Sequence, residues 1–500
     1  MENALILLPI LWPVFIGGCM WIPAVRRRRF LRGAVQIAAM TGELVLSIWA
    51  FFWPEGLALR WNLTADVSVY FRLDGAGKVI LLLCAAAWLV SVVYSREYME
   101  EEDREYRYDG FIMMAMGAVA GVCCAGNLIA LYLCYEWVTL MCLPLVLQER
   151  TKEAVSAGLK FLFYSIFGAL CALFGIFALA RVCGTLDFTA GGVLDPELVS
   201  GQKAFFQAVI FIMLLGFGSK AGMWPLHGWL PTAHPAAPAP ASALLSGNIT
   251  KMGFLCSLRV VYQIAGTDFL KGTWVQYAWM SLALLTVFMG SMLACREKIL
   301  KKRLAYSTVS QVSYALFGLA LMTPAGVQGA LTQAVFHCAA KNLLFLGAGA
   351  VILKTGLHSV DDLDGIGRRL PVVMACFTLA SLTLVGLPPT GGALSKMQLA
   401  LGSLSEAVPV LSWLGPVILI GSALLTAAYL IPVVLRAYFS GDTGIQKAGK
   451  VRQHHMLRSE ATLWIRVPMV ALTAVMLLAG MFPGFLDPLL SGALRALGMS

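Results

Sequence analysis

The sequence predicts an all-α, polytopic membrane protein of about fourteen transmembrane helices. Three observations predict it. Hydrophobic residues make up 59% of the 500 and charged residues only 13%, against roughly 25% charged in a soluble domain, whose surface must be wetted. Mean hydropathy is +0.78. Apolar runs of about 17–28 residues recur between charges and Gly/Pro turns, and about 20 such residues cross a hydrocarbon core. The longest polar stretches, Ser95–Asp109, Cys183–Lys203 and Ser440–Glu460, are too short for a soluble domain. No nucleotide- or redox-cofactor-binding domain fits, and no cofactor is expected.

The fourteen runs start near Asn3, Ala34, Gly77, Gly110, Leu128, Leu159, Ala204, Ala236, Trp274, Leu304, Val327, Pro371, Leu411 and Arg466. The first does not read as a cleaved signal peptide. Met1-Glu2-Asn3 is not basic, and the cluster Arg26-Arg27-Arg28-Arg29 follows the apolar stretch instead of preceding it. The twelve cysteines are scattered through apolar runs without a C-x-x-C pair. They read as small apolar side chains, not as a metal site or a disulfide framework.

A formal net charge of +10 would point to nucleic acid in a soluble protein. Here it orients loops, because Lys and Arg accumulate on the cytoplasmic side. With the N-terminus outside and the runs alternating, 25 of the 37 Lys and Arg residues fall inside and eight outside. This predicts a multi-pass protein of the cell membrane with both termini outside, and no nucleic-acid partner.

The remaining four basic residues, Lys220, Lys251, Lys341 and Lys396, lie within apolar runs, as do Glu43 and Glu136. A charge at mid-bilayer costs about 2.5–3.5 kcal/mol on insertion scales, and one kept there marks an ion pathway. A lysine near a helix end can instead reach the headgroups. Glu136 lies about nine residues into its run, and a carboxylate cannot reach that far. Lys341 lies midway along Val327–Leu353, with His337 four residues earlier and so on the same helical face. Lys251 is about fifteen residues into Ala236–Tyr262. Glu43 sits outside the motif-rich part, where a structural role is the simpler reading.

Lys220 and Lys396 sit at interruptions. Lys220 follows Gly216-Phe217-Gly218 and precedes Gly222 and Pro225, after which Trp224–Leu230 is apolar again. The run from Pro371 to Val408 is too long for one span and is broken by Pro388-Pro389 and Gly391-Gly392, with Lys396 following. Backbone groups freed by a break are tolerable in a bilayer only inside protein or beside a hydrated cavity. Paired interrupted helices in two halves of a transporter point to its ion site. Burial disfavours a charged lysine and a nearby carboxylate favours it, so a Lys beside a moving Glu can load and release a proton. Lys and His residues bridged by water would form a lateral relay.

These residues lie in longer motifs. GFGSKAGMWPLHGWLPTAHPAAPAPASALLSGNITKMG (Gly216–Gly253), FHCAAKNLLFLGAGAV (Phe336–Val351) and GLPPTGGALSK (Gly386–Lys396) resemble three blocks of one family. It is the family of antiporter-like proton-pumping subunits found in complex I, in membrane-bound hydrogenases and formate hydrogenlyase, and in Mrp cation/proton antiporters. Phe71-Arg72-Leu73-Asp74-Gly75, and Tyr94-Ser95 with Tyr98-Met99, resemble its N-terminal extension, so the likeness covers roughly residues 65–440.

The resemblance implies fourteen helices with two inverted five-helix repeats, each containing a broken helix. Residues 1–109 would hold helices 1–3, 110–262 the first repeat, 274–439 the second, and 440–500 a cytoplasmic loop and the last helix. It implies that Glu136 and Lys220 are the coupled pair of the first half-channel, Lys251 the connecting lysine, His337 and Lys341 the central relay, and Lys396 the exit residue. His227 and His234 match family histidines as accessory positions. Where the family often has Phe after the second Gly of the PP block, this chain has Ala393, and some members carry Glu where Lys396 stands. The chain ends at Ser500 without room for the long lateral helix of the largest members.

Two functions stay open. One is a non-catalytic, ion-translocating subunit of a redox-driven quinone reductase or hydrogenase. The other is a subunit of a sodium/proton antiporter without redox chemistry. The HPAAPAPASALLSG reading leans towards the first. Both imply other membrane subunits as partners, and protons as the ion, with sodium as an alternative.

Overall fold

In the computed structural model, residues 2–54, 56–64, 67–100, 102, 104–405, 408, 410–441 and 461–499 are described. The chain is overwhelmingly helical. Helix α1 (Leu8–Cys19) and α2 (Arg29–Trp49) lead into an antiparallel hairpin of β1 (Ala58–Asn62) and β2 (Ser68–Arg72), with Ala58 opposite Arg72. Four helices follow: α3 (Gly75–Tyr98), α4 (Glu105–Cys123), α5 (Leu128–Val146) and α6 (Lys152–Leu179). Three of them start on side-chain caps. Asp74, Asn127 and Thr151 accept from Gly77 N, Ala130 N and Ala154 N at 2.8, 2.9 and 3.1 Å, satisfying amides that a helix start leaves open.

Helix α7 (Lys203–Ala221) ends at Gly222, whose φ of +82° is cheap only for glycine. The chain resumes as α8 (Leu230–Ala236) and α9 (Ala239–Leu244), then runs through a π-helical turn (Leu245–Ile249) into α10 (Thr250–Arg259). Next come α11 (Trp274–Arg296), α12 (Leu300–Ala320) and the 32-residue α13 (Pro324–Thr355). A second interruption separates α14 (Pro371–Val385) from α15 (Gly391–Leu404), again at a positive-φ glycine, Gly386 (φ +88°). The chain closes with α16 (Leu411–Phe439), α17 (Leu463–Met481) and α18 (Asp487–Ala496).

Among the described residues nine helices, α2, α3, α5, α6, α7, α11, α13, α16 and α17, are long and apolar enough to cross a membrane. The chain is a multi-pass membrane protein. Its apolar residues point both ways. Helix α12 and most of α13 are buried on every side, whereas α6 turns Leu159, Phe163, Leu170 and Phe177 outward. In water that face would be a liability; against lipid it is the expected surface.

Two particulars depart from the sequence reading. The chain is not helical throughout: the run Ser68–Arg72 forms β2. A further helix, α18, follows the last apolar run. The interruption read around Lys220 falls just after it, at Gly222, and α7 passes unbroken through Gly216-Phe217-Gly218. The expected loop 440–460 lies outside the described residues apart from Ser440 and Gly441.

Ion pairs, most of them between carboxylates and arginines, tie the periphery together. Arg32 of α2 meets Asp109 (2.9 Å) and Glu105 (2.6 Å) of α4, and Arg96 of α3 also reaches Asp109 (2.6 Å). Arg259 of α10 holds Asp74 at 2.9 Å, and Lys354 of α13 holds Glu97 at 2.6 Å.

The α14–α15 break is packed tightly. A Cβ on Gly392 would lie 1.8 Å from the Thr383 carbonyl oxygen, a backbone atom with no rotamer to escape into. Alanine normally favours a helix over glycine by about 1 kcal/mol, but overpacking costs about 1–3 kcal/mol or more. Gly392→Ala is therefore expected to lower the thermal unfolding midpoint in detergent. Gly18→Ala, where nothing lies within 4 Å of the added Cβ, is expected to leave the midpoint level or raise it. Equal midpoints for the two variants would contradict the close packing.

Candidate functional site

Five lysines lie inside the helix bundle, and among the described residues none of their ammonium groups forms an ion pair with a carboxylate. Lys220, one residue before the end of α7, is 1% exposed. Its Nζ donates to Tyr135 O (2.9 Å) and Thr139 Oγ1 (2.8 Å) of α5 and sits 3.6 Å above the centre of the Tyr135 ring. Glu136 follows Tyr135 directly. It is half-buried, and its buried Oε1 has no hydrogen-bond partner. The two expected partners are thus brought to one place on adjacent helices without a direct ion pair among the described residues.

Lys251 and His337 touch. Lys251 Nζ of α10 makes a short contact with His337 Nδ1 of α13, and reaches Ser246 O at 3.4 Å and Thr250 Oγ1 at 3.5 Å. With the ammonium as donor, Nδ1 accepts, so the ring proton belongs on Nε2. That Nε2 is buried without a partner among the described residues. One helical turn on, Lys341 Nζ donates to Leu304 O of α12 at 3.0 Å. Lys396, half-buried on α15, donates to Leu384 O and Val385 O, the last carbonyls of α14, and lies 5.4 Å from the Tyr314 ring centre. The α14 break supplies these acceptors, because carbonyls at a helix end have no intrahelical donor.

This distinguishes the central lysines from the peripheral ion pairs. The periphery is built mostly of arginine, which does not release its proton, locked to carboxylates. The centre uses lysine held by carbonyls, hydroxyls and an imidazole. Deprotonating such a lysine breaks no ion pair with a carboxylate among the described residues.

The structure adds residues that the charge search passed over. Gln333 lies four residues before His337 on the same face of α13. Its Nε2 donates to Gln311 Oε1 of α12 (3.0 Å), and its Oε1 accepts from Ser395 Oγ (2.7 Å), the neighbour of Lys396. Gln311 Nε2 continues to Thr426 Oγ1 of α16 at 3.3 Å. Lys251, His337, Gln311 and Gln333 line a cavity of about 10 Å³, close to the room that one water needs. Polar side chains thus extend from the cavity beside Lys251 to the helix turn that carries Lys396. The spacing 333, 337, 341 carried the signal, but glutamine bears no charge to draw attention. Lys301 lies in a basic run, among the 25 Lys and Arg residues that the alternation of runs puts inside. It is 6% exposed and donates to Ala237 O at 2.9 Å.

The accessory histidines differ. His234 is fully buried between the rings of Trp229 and Phe345, and neither ring nitrogen has a partner among the described residues. His227, half-buried in the turn after Gly222, has an unpartnered Nδ1. Neither joins the Lys251–His337 contact. Glu43 of α2 is fully buried, with neither carboxyl oxygen partnered among the described residues, and it stands apart from the lysine row.

Comparison with known proteins explains why these motifs occur together. The family described as NADH:quinone oxidoreductase/Mrp antiporter, transmembrane, matches residues 125–426. The chain belongs to this family. The matched segment contains every candidate residue from Glu136 to Lys396. The chain is 31% identical to NADH-quinone oxidoreductase subunit N of Desulforudis audaxviator over 88% of each chain. It is 30% identical to hydrogenase-4 component B of Escherichia coli over 83% of this chain, but it spans only 62% of that relative. A chain of the Mrp complex from a Dietzia species shares the fold, with a TM-score of 0.86 at 22% identity over 99% of this chain and 97% of that one. The hairpin, the peripheral pairs around Asp109 and the helix α18 lie outside the family segment.

Proposed function

We propose that this chain is the proton-translocating membrane subunit of a redox-driven complex of the quinone-reductase or hydrogenase type. In this reading protons move along Glu136, Lys220, Lys251, His337, Lys341 and Lys396, and electron transfer takes place in partner subunits. The observation that carries it is the row of interior lysines held by neutral groups, with Lys251 and His337 in contact beside a small cavity that Gln333 also lines, and Gln333 hydrogen-bonded to Ser395, the neighbour of Lys396. The relatives named for NADH-quinone oxidoreductase and hydrogenase support the choice of complex.

The architecture proposed with it has fourteen membrane helices and two inverted repeats, residues 110–262 and 274–439. The two breaks, at Gly222 and Gly386, support it because each half holds one, with a lysine near it. The excess of Lys and Arg in alternate loops supports both termini outside. The likeness to an Mrp chain favours a second reading, a subunit of a sodium/proton antiporter without redox coupling.

The subunit purified alone is expected to catalyse no electron transfer, since the polar stretches leave no room for a redox domain. Purified from its native membrane, it is expected to bring down iron–sulfur or nickel subunits, identifiable by mass spectrometry. Co-purification of small antiporter subunits alone would favour the second reading. Quinone reductase or hydrogenase activity of the isolated chain would overturn the first.

A further inference from the structure

The chain enters α10, and so reaches Lys251, through the π-helical turn Leu245–Ile249. Such turns are rare, and they recur at functional sites. Two neighbouring helices hold this one from the side. Ser246 Oγ lies 2.6 Å from Thr308 Oγ1 of α12. Asn248 Oδ1 accepts from Asn342 Nδ2 of α13 at 3.0 Å. The same Nδ2 donates to Cys338 O at 2.8 Å, and a carbonyl only accepts, so the orientation of the Asn342 amide is fixed. Gly247 lets the turn come this close: a Cβ there would lie 2.2 Å from Asn342 Nδ2.

Asn248 and Asn342 are both fully buried, and they make one hydrogen bond where two facing amides have the groups for two. Asn248 Nδ2 and Asn342 Oδ1 have no partner among the described residues. A buried donor and acceptor left unmade are costly, whereas replacing both partners of a buried bond by apolar groups of the same shape is close to neutral or stabilising. Stability therefore does not account for the pair, and its place does. Asn248 lies three residues before Lys251, and Asn342 five after His337. The amide bond and the Lys251–His337 contact thus join the same two segments. Lys251 Nζ also reaches back into the turn, to Ser246 O at 3.4 Å. Where the turn sits decides where the ammonium sits. We propose that Asn342, acting through Asn248, is a positioning residue, a role that rests on the proton route proposed above. It holds the π-helical turn against α13 so that Lys251 meets His337 Nδ1.

The test uses the assembled complex in vesicles and the double variant Asn248→Leu/Asn342→Leu, in which methyl groups take the places of the amide oxygens and nitrogens. Expected is a thermal unfolding midpoint level with the parent's or higher, since both partners of the bond are removed together. Proton translocation per assembled complex is expected to fall about 10- to 100-fold, the scale of a misplacement of about 1 Å. The pH profile of translocation is expected to move as well, because Lys251 and His337 no longer share a contact. The other titratable groups near that contact are Cys84 of α3 and Cys338 and Lys341 of α13. Failure of the double variant to assemble, or a lowered midpoint with an unchanged pH profile, would make the pair structural and overturn the proposal. Parental translocation by the double variant would overturn it too. Lys251→Met is measured alongside to separate the two readings. Parental translocation by Lys251→Met strikes the route itself, whereas an inactive Lys251→Met beside a parental double variant strikes the positioning role alone.

Discussion

Replacing Lys220 with methionine is expected to reduce proton translocation by the assembled complex at least about 100-fold, the lower range for losing a positioned proton carrier. Methionine keeps most of the side-chain volume, so the packing against Tyr135 and Thr139 survives where alanine would leave a cavity. Only the two hydrogen bonds and the ring contact of the ammonium are lost. Glu136→Gln is expected to be equally inactive for a different reason: it keeps the shape and removes the charge next to the lysine's carbonyl partner. If the two act as one unit, the double variant is no worse than either single one, because effects of coupled residues do not add. Proton uptake is read with a pH-sensitive dye in vesicles holding the complex, with membrane insertion checked by immunoblot. Normal translocation by both single variants would remove the pair from the pathway. Additive losses would leave both residues necessary and uncoupled.

The positions of these residues were largely legible because charge in an apolar run is conspicuous. Lys251 and His337, 86 positions apart in sequence, are in contact, and both stood out as mid-run polar residues. The helix breaks were legible for a similar reason, since Gly and Pro leave few backbone alternatives. What stayed hidden was polar but uncharged, or charged but in the wrong company. Gln333 and Gln311 cost less to bury than a lysine, so nothing in a hydropathy window marks them. Lys301 and Arg259 sit beside loops in sequence, yet tertiary packing buries them. The hairpin escaped because ten paired residues between two long apolar runs carry too little pattern to compete with the helical signal.

The contrast between paired arginines and unpaired lysines also separates two jobs in one bundle. An arginine–carboxylate pair such as Arg32–Asp109 is hard to break, since removing one partner strands a buried charge at a cost of about 3–5 kcal/mol. Such pairs suit places that must not move. A lysine resting on carbonyls can lose its proton without leaving an opposite charge behind. The Gln311–Gln333–Ser395 bridge adds polarity between two such lysines but holds no titratable group. A proton crossing there needs water, and the cavity of about 10 Å³ beside the bridge is close to the room for one molecule.

At the far end of that route, Lys396→Arg is expected to assemble normally and yet translocate protons at least about tenfold more slowly, as fits the loss of proton exchange at one carrier. The residue's setting makes the test clean. Lys396 donates to Leu384 O and Val385 O, carbonyls left open where α14 stops at Gly386. Carbonyls at a helix C-terminus favour a cation, so arginine can satisfy them as lysine does. The two side chains differ in that arginine does not release its proton. Lys396→Met removes the charge as well, and is expected to lose translocation and some stability, since both carbonyls are then left without a donor. Lys396→Glu is expected to lie between, because a protonated carboxyl can still donate one of the two bonds and can exchange its proton. The order parent, Glu, then Arg and Met, measured by dye response in vesicles at matched protein content, is the signature of a titratable exit residue. If Arg matches the parent, position 396 supplies a fixed charge that holds the two carbonyls of the break, and the exchanging group lies elsewhere on the route.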